Sequence, residues 1–155
     1  MRLVEKKGDL FKASDDYFLA HCISADYALG AGIAKKFNDF YCVRDRLKKN
    51  YPVPHGSAKY VGKALLIDDI FNLVTKRYYY QKPTFDTLES ALIDMRTQCE
   101  KLGIKKIAMP RIASGLDRLP WDGDGRCVVK SINRVFEDTD IDIVIYSLEI
   151  LQDNG

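Results

Sequence analysis

The sequence has few of the residues that build metal centres and disulfide frameworks. It contains two histidines, His21 and His55, and four cysteines, none of them in a C-x-x-C pair. A zinc site would therefore be hard to assemble, and we expect neither a metal nor a cofactor. The cysteines fall within apolar patterns and are interpreted as small, reduced core residues: Cys22, Cys42, Cys99 and Cys127.

A strong charge bias and long apolar runs are also missing. The 24 basic and 22 acidic side chains leave a net charge of +2, which gives no broad electrostatic footprint for nucleic acid or membrane. No apolar run approaches transmembrane length, and the charged first residues predict no signal peptide. We expect an intracellular protein, cytoplasmic or nuclear, that is a monomer without membrane contact. Its 155 residues fit one domain over residues 1–155.

Strands alternate with long amphipathic helices along the chain. Strands are predicted at 2–6, 17–23, 62–67, 70–76, 105–110 and 141–148, and helices at 31–50, 84–102 and 124–136. This alternation favours a three-layer α/β domain, and the hairpin across Asp68-Asp69 makes its sheet mixed. Ligands of such folds gather at the carboxyl ends of the strands, where most of the unusual residues of this sequence lie.

Two glycine-containing loops follow predicted strands. Gly30-Ala31-Gly32 comes between a buried strand and a helix start, where glycines let backbone approach a phosphate and the helix supplies N–H donors. A second loop, "RIASGLDRL", carries Gly115. Together the two loops could hold a diphosphate from both sides, although each alone is weak evidence and is more often an ordinary loop.

Lys76 and Asp117 are the candidate reactive side chains. Lys76 ends a hairpin strand, where a lysine is usually a surface charge. A lysine that enters a cleft can instead lose its proton, and the neutral amine can attack an electrophilic sugar carbon and form a Schiff base. Asp117 lies in the second loop, where it could transfer protons or form an ion pair with Arg111 or Arg118.

Other polar residues at strand ends have two interpretations each. Asp9 could accept a hydrogen bond from an exocyclic amine or cap a turn. Ser24 and Asp26 could contact a ligand or cap a turn, and Tyr146 could pack on a ring or in the core. His21 lies in a buried strand, which favours a core histidine over a catalyst.

Six short stretches resemble a known family in the family's order and span nearly the whole chain: "KGDLF", "AHCIS", "GAGIAKKF", "VTKRYYYQKPT", "MPRIASGLDRL" and "IDIVIYSL". As a set they resemble the macrodomain family, and more closely its terminal ADP-ribose protein glycohydrolase branch. The resemblance implies a three-layer α/β/α macrodomain with a mixed central sheet and ADP-ribose as the ligand.

The resemblance also implies roles for individual residues. Lys76 matches the catalytic lysine of the branch, which attacks the anomeric carbon of the distal ribose, and Asp117 matches its acid/base. Adenine, the distal ribose and the diphosphate would be held by the remaining predicted site residues. These are Asp9, Leu10, His21, Ile23, Ser24, Gly30, Ala31, Gly32, Ile33, Ala34, Thr75, Pro110, Arg111, Ile112, Ala113, Ser114, Gly115, Leu116, Tyr146 and Leu148.

The sequence departs from the branch at three places. Ala113-Ser114 stands where the branch often has Gly-Cys, the aromatic run 78–80 replaces more polar residues, and the segment 121–125 is slightly longer. The last departure leaves the start of the third helix open.

Three functions follow from the resemblance. The first is a hydrolase that removes ADP-ribose from glutamate or aspartate and also deacylates O-acyl-ADP-ribose. The second is a non-catalytic reader of ADP-ribose. The third is an enzyme that removes ADP-ribose from nucleic acid bases, with the tyrosines 78–80 available for stacking. The expected partner is a mono-ADP-ribosylated protein or, in the third case, a modified nucleic acid.

Overall fold

The computed structural model describes residues 1–147, whose centre is a six-stranded mixed sheet. The strands are Arg2–Lys7 (β1), Phe18–Ser24 (β2), Ala64–Ile67 (β3), Ile70–Lys76 (β4), Lys106–Pro110 (β5) and Asp142–Ser147 (β6). Their order across the sheet is β1-β6-β5-β2-β4-β3. Neighbouring strands are parallel except for the β3–β4 hairpin, which is antiparallel.

Helices cover both faces of this sheet. They are Gly32–Tyr41 (α1), Val43–Asn50 (α2), Phe85–Leu102 (α3) and Val128–Phe136 (α4), with a 3₁₀ turn at Leu10–Lys12. One apolar core lies between the sheet and α3 with α4, and a second lies between the sheet and α1 with α2. The predicted three-layer α/β/α fold with a mixed sheet is confirmed. Among residues 1–147, no helix is both long and apolar enough to cross a bilayer.

The helix α3 begins and ends where the sequence predicts. Thr84 caps its first turn by accepting a hydrogen bond from the Thr87 N–H, and the Thr87 hydroxyl in turn accepts one from the Thr84 N–H. Gly103 ends the helix in the left-handed conformation, with φ of 72°. Both signals are local, which is why the pattern was sufficient.

The predicted continuous helix at 31–50 is wrong at Cys42. This residue has φ of 54° and ends α1, and Asn38 then caps α2 by accepting the Arg44 N–H at 2.9 Å. The break turns the Cys42 side chain to the surface, so its interpretation as a core residue is also wrong. Cys99 and Cys127 are buried, and Cys22 is partly buried.

The helix α4 begins four residues later than the predicted Asp124. Its first N–H groups, from Val128 and Val129, donate to the carbonyls of Pro120 and Trp121 at 2.9 Å each. The segment 122–126 is therefore an exposed loop rather than a first helical turn.

The parallel strands β2, β4 and β5 end at the same edge of the sheet. Ser24, at the end of β2, pairs with Lys76 at the end of β4, and the Ala25 N–H donates to the Lys76 carbonyl at 2.8 Å. This edge brings together residues that are far apart in the sequence.

Candidate active site

A cleft of about 970 Å³ opens at the carboxyl ends of β2, β4 and β5. Its walls are the loop between β2 and α1, the segment after β4 and the loop after β5. Open α/β sheets bind ligands at this position. Of the predicted site residues, those that line the cleft are 23–24, 30–34, 76, 110–113 and 115–117.

Arg44 holds the first wall, the loop between β2 and α1, in a strained path. Tyr27 and Leu29 have φ of 54° and 40°, a conformation that side-chain-bearing residues seldom adopt. From α2, the Arg44 Nε donates to the Tyr27 carbonyl at 3.0 Å, and a terminal nitrogen donates to the Ala28 carbonyl. These hydrogen bonds fix the first wall without any contribution from a ligand.

The start of α1 presents unpaired backbone donors to the cleft. Ala31, at the N-cap position, makes no side-chain hydrogen bond to the first turn. Gly32 has φ of 59°, and residues 30–34 line the cleft. A helix N-terminus with free N–H groups and the positive end of the helix dipole favours an anion, so this wall is suited to a phosphate group.

The second wall, the loop after β5, also contains strained backbone. Ala113 and Arg118 have φ of 59° and 61°. Turn hydrogen bonds close the loop, among them Leu119 N–H to the Ala113 carbonyl at 2.8 Å. Since Ala113 occupies a conformation that glycine adopts at less cost, the sequence departure at this position places a residue with a side chain in a glycine-favouring site.

The base of the second wall is tied to the edge strand β1. The Arg111 Nε donates to one carboxylate oxygen of Glu5 at 2.6 Å, and the Trp121 Nε1 donates to the other at 3.2 Å. The Arg111 guanidinium also lies 5.5 Å from the centre of the Trp121 ring. The ion pair of this anchor is partly exposed to water.

The two walls meet over the cleft at Leu116 and Gly32. Leu116 is 71% exposed, and its Cδ1 would lie 3.1 Å from a Cβ built on Gly32. An apolar side chain of the second wall thus rests against bare backbone of the first.

Lys76 and Asp117 form an ion pair inside the cleft. The Lys76 Nζ lies 2.7 Å from the Asp117 Oδ1, and the two side chains are 15% and 17% exposed. The sheet edge positions Lys76, and the second wall positions Asp117. The amine of one can therefore exchange a proton directly with the carboxylate of the other.

The floor of the cleft beside this pair is formed by the end of β2. Burial raises the pKa of the Cys22 thiol to about 12, and the negative charge of Asp117 acts in the same direction. The thiol therefore stays protonated and is a poor nucleophile. The Ser24 hydroxyl donates to the Asp26 Oδ1 at 2.5 Å, which orients Ser24 at the floor.

A rim of tyrosines borders the cleft after β4. Tyr79 and Tyr80 line the cleft and are 65% and 70% exposed. Tyr78 stacks on Tyr80 with ring centres 5.5 Å apart, and the Asp26 Oδ2 accepts the Tyr79 N–H at 2.9 Å. Asp26 therefore connects the rim to the first wall.

Several predicted site residues do not line the cleft. Thr75 and Leu10 are buried, and Ser114 lies in the second wall with its hydroxyl buried. Asp9 caps the 3₁₀ turn by accepting the Phe11 N–H at 3.0 Å, and Tyr146 packs beside Gly8 at the same sheet edge. Leu148 lies outside the described residues. Ligand contacts by this group stay predictions.

His21 lies in the core, as its strand position suggested, and does not line the cleft, so its predicted ligand contact stays a prediction. It has no exposed surface, stacks on Phe37 of α1 with ring centres 3.9 Å apart, and donates from Nε2 to the Asn72 Oδ1 at 2.5 Å. Burial lowers the pKa of His21 to about 4. The imidazole is neutral at physiological pH and packs between β2 and α1.

Sequence reasoning missed several residues that line the cleft. Arg44 had no sequence signal, because its partners are backbone carbonyls. Arg118, Gln81 and Lys82 also line the cleft and were not predicted as site residues. Among residues 1–147, no group of three or more His, Cys, Asp or Glu side chains is placed to hold a metal ion.

Comparison with known proteins identifies a matching family model and related proteins. A family model described as "Macro domain" matches residues 23–127. Human ADP-ribose glycohydrolase OARD1 is 40% identical over 154 residues, which cover 95% of this chain and 92% of the human protein. Uncharacterized protein 032R of Invertebrate iridescent virus 6 is 27% identical over 99 residues, covering 62% of this chain and 95% of the viral protein.

Solved structures share the fold at low sequence identity. The macrodomain of Mycobacterium tuberculosis DarG has a TM-score of 0.71 and 23% identity, covering 93% of this chain and 96% of the DarG chain. Thermosipho africanus DarTG in complex with ADP-ribose has a TM-score of 0.71 and 22% identity, covering 94% of this chain and 41% of its own.

Proposed function

The chain belongs to the macrodomain family, and we propose that it removes mono-ADP-ribose from the carboxylates of glutamate and aspartate in proteins. It is a hydrolase that acts on ADP-ribose, like the human ADP-ribose glycohydrolase with which it shares 40% identity over 95% of its length. In the proposed reaction Lys76 is the nucleophile and Asp117 is the acid/base. The same site would deacylate O-acyl-ADP-ribose.

The observation that carries the proposal is the Lys76–Asp117 pair at 2.7 Å between the two walls. The free N–H groups of α1 would take the diphosphate, which brings the distal ribose to the floor beside Lys76. An amine, a carboxylate and an anion-binding helix start in one cleft form a complete set for this reaction.

The first step forms a bond between Lys76 and the ribose. Asp117 accepts a proton from the Lys76 ammonium, and the neutral Nζ attacks the anomeric carbon of the distal ribose. The bond from that carbon to the ester oxygen breaks, and the protein carboxylate leaves with the electron pair. A carboxylate is a stable leaving group, so the step requires no metal.

The second step returns the enzyme to its starting state. The lysine adduct releases a proton from Nζ to solvent, and Asp117 gives the proton it took in the first step to the ribose ring oxygen as the ring opens to a Schiff base. Water then adds to the same carbon while the ionised Asp117 accepts its proton. Asp117 next protonates Nζ and the carbon–nitrogen bond breaks; the new hydroxyl passes its proton through Asp117 to the freed amine, and the resulting ribose aldehyde recloses its ring. The products are free ADP-ribose, the unmodified carboxylate and the original ion pair.

The test measures ADP-ribose release from a protein that carries mono-ADP-ribose on glutamate. Wild type, Lys76→Ala and Asp117→Ala would be compared, with Lys101→Ala as a control that removes an exposed lysine at the far end of α3. We expect both site variants to lose at least about a hundredfold in rate, and the control to match wild type. In Asp117→Ala, borohydride reduction followed by mass spectrometry should detect ADP-ribose attached to Lys76.

Two results would contradict the proposal. No release by wild type, together with tight binding of ADP-ribose, would make the protein a reader. Release that survives in Lys76→Ala would leave the protein a hydrolase with a different nucleophile.

One observation favours a second candidate function, removal of ADP-ribose from nucleic acid bases. Tyr79 and Tyr80 offer exposed rings at the mouth of the cleft, and each ring could stack a base next to the modified one. An ADP-ribosylated oligonucleotide would be the competing substrate in the same assay. Tyr80→Ala should slow its hydrolysis more than that of the modified protein if the rim stacks bases.

A further inference from the structure

A second depression of about 450 Å³ adjoins the cleft at Lys76. Lys76, Gln81 and Lys82 line both spaces, whereas the first wall (the loop between β2 and α1) and the second wall (the loop after β5) do not line the second depression. The depression therefore adjoins the cleft at Lys76 and at the exposed residues Gln81 and Lys82. A polypeptide whose modified side chain enters the cleft would have its flanking residues within reach of these positions.

The depression carries uncompensated positive charge. Arg77 and Lys82 line it, no Asp or Glu does, and neither cation forms an ion pair within residues 1–147. The charge of Lys76 is matched by Asp117. The acidic residue closest in sequence to Lys82 is Asp86, and its carboxylate is paired with Arg126 at 3.0 Å.

Arg77 is held in place without using its full hydrogen-bonding capacity. Its Nε donates to the Gly56 carbonyl at 2.7 Å, and its guanidinium lies 5.2 Å from the centre of the Tyr78 ring. Its two terminal nitrogens have no partner among the described residues, so they can donate to an incoming carboxylate. The N-terminal end of α3, with Thr84 and Thr87, adds the positive end of a helix dipole.

From this charge and position we propose that the second depression binds an acidic stretch of the modified protein. Carboxylates on either side of the ADP-ribosylated glutamate or aspartate contact Arg77 and Lys82. The inference rests on the proposed function, because it concerns the part of the substrate that leaves. A polypeptide is favoured over a nucleic acid here, since no aromatic ring lines this depression to stack a base.

The test compares two short peptides, each with one mono-ADP-ribosylated glutamate flanked by aspartates or by serines. We expect wild type to prefer the aspartate-flanked peptide by about tenfold in kcat/KM at low salt, and the preference to shrink at high salt. Arg77→Gln and Lys82→Gln should each lower the preference about threefold, and the double variant should abolish it. Lys101→Gln is the control and should keep the wild-type ratio.

The outcomes separate this inference from the proposed function. Hydrolysis of both peptides at equal rates, or a preference that survives in the double variant, would overturn the inference and leave the function in place. Hydrolysis of neither peptide by wild type would overturn both. A single-stranded oligonucleotide that inhibits wild type, when an unmodified acidic peptide at the same concentration does not, would assign the depression to nucleic acid instead.

Discussion

The two walls of the cleft are held in place by different means. In the first wall, Arg44 donates partly buried hydrogen bonds to backbone carbonyls, and α1 packs on His21 through its own fully buried Phe37. The second wall is closed by turn hydrogen bonds and packs Ile112, Ala113 and Leu119 into the core, and its base is tied to β1 through a partly exposed Arg111–Glu5 pair.

The difference indicates separate roles for the two walls. Charged hydrogen bonds and buried packing preform the first wall, the proposed anion site, so that disrupting it costs folding free energy. In the second wall only the outer part, with the exposed residues Gly115 and Leu116, and the exposed ion pair at its base can adjust over a ligand at low cost. Substitutions in the first wall should mainly reduce stability, and those in the exposed part of the second should mainly change ligand binding.

The largest effect should come from His21, which supports the first wall from the core. Burial lowers the pKa of His21 to about 4 from its ordinary 6.5. Between these values the unfolded chain binds a proton that the folded protein does not, so stability falls as the pH is lowered through this window. The full loss is about 3 kcal/mol and is complete near pH 4.

Urea unfolding between pH 7 and 4 measures this loss. His21→Gln should flatten the pH dependence, because its amide can still donate to Asn72 but cannot titrate. His55→Gln, in an exposed loop, should keep the wild-type slope. If the variant fails to fold, NMR titration of the His21 ring in the wild-type protein replaces it. A titration midpoint near 6.5 would contradict the explanation that burial lowers the pKa of His21.

The next effect in size should come from Arg44→Ala. The change leaves the carbonyls of Tyr27 and Ala28 without their charged donor, while Tyr27 and Leu29 keep their strained backbone conformation. We expect a loss of about 2 kcal/mol in urea unfolding and about a tenfold weaker affinity for ADP-ribose by calorimetry. Arg44→Lys keeps the charge but lacks the two separate guanidinium nitrogens that donate to the two carbonyls, and it should be intermediate. An unchanged affinity would mean that the first wall is not the anion site.

A smaller effect is expected from Gly32→Ala, where the walls touch. The methyl group would impose a left-handed penalty of about 1 kcal/mol at φ of 59° and would press on Leu116. Leu116→Ala in the same chain should restore ligand binding in part but not stability, because it removes the contact and not the backbone strain. If Leu116→Ala restored both ligand binding and stability in full, the contact with Leu116, and not the backbone conformation at residue 32, would account for the effect.

Sequence reasoning predicted the elements whose signals are local and failed where they are not. Both ends of α3 were predicted because Thr84 and Gly103 mark them. The break at Cys42 was missed because the Asn38 side chain that caps α2 lies inside the preceding helix. The start of α4 was missed because its first donors bind the carbonyls of Pro120 and Trp121, which no side-chain pattern reveals.

The same distinction applies to the site. Lys76 is the last residue of β4 and Asp117 follows β5, and both strands end at one sheet edge, so topology and the family resemblance together brought them into one prediction. Arg44 donates its hydrogen bonds to backbone carbonyls only. Arg77 is a candidate for substrate binding because no carboxylate lines the second depression to neutralise its charge. Neither property has a signature in a single sequence.

The smallest effect should come from Glu5→Gln, in the anchor of the second wall. Glutamine can still accept the Trp121 N–H but loses the charge that faces Arg111, and an ion pair this exposed contributes only about 0.5 kcal/mol. We expect that loss in urea unfolding, with about a twofold change in affinity for ADP-ribose. Asp39→Asn is the matched control: it removes a comparable exposed pair with Lys35 on α1 and should cost similar stability without changing affinity. If Glu5→Gln destabilised the protein as much as Arg44→Ala, the two walls would be equally rigid and their proposed division of roles would be wrong.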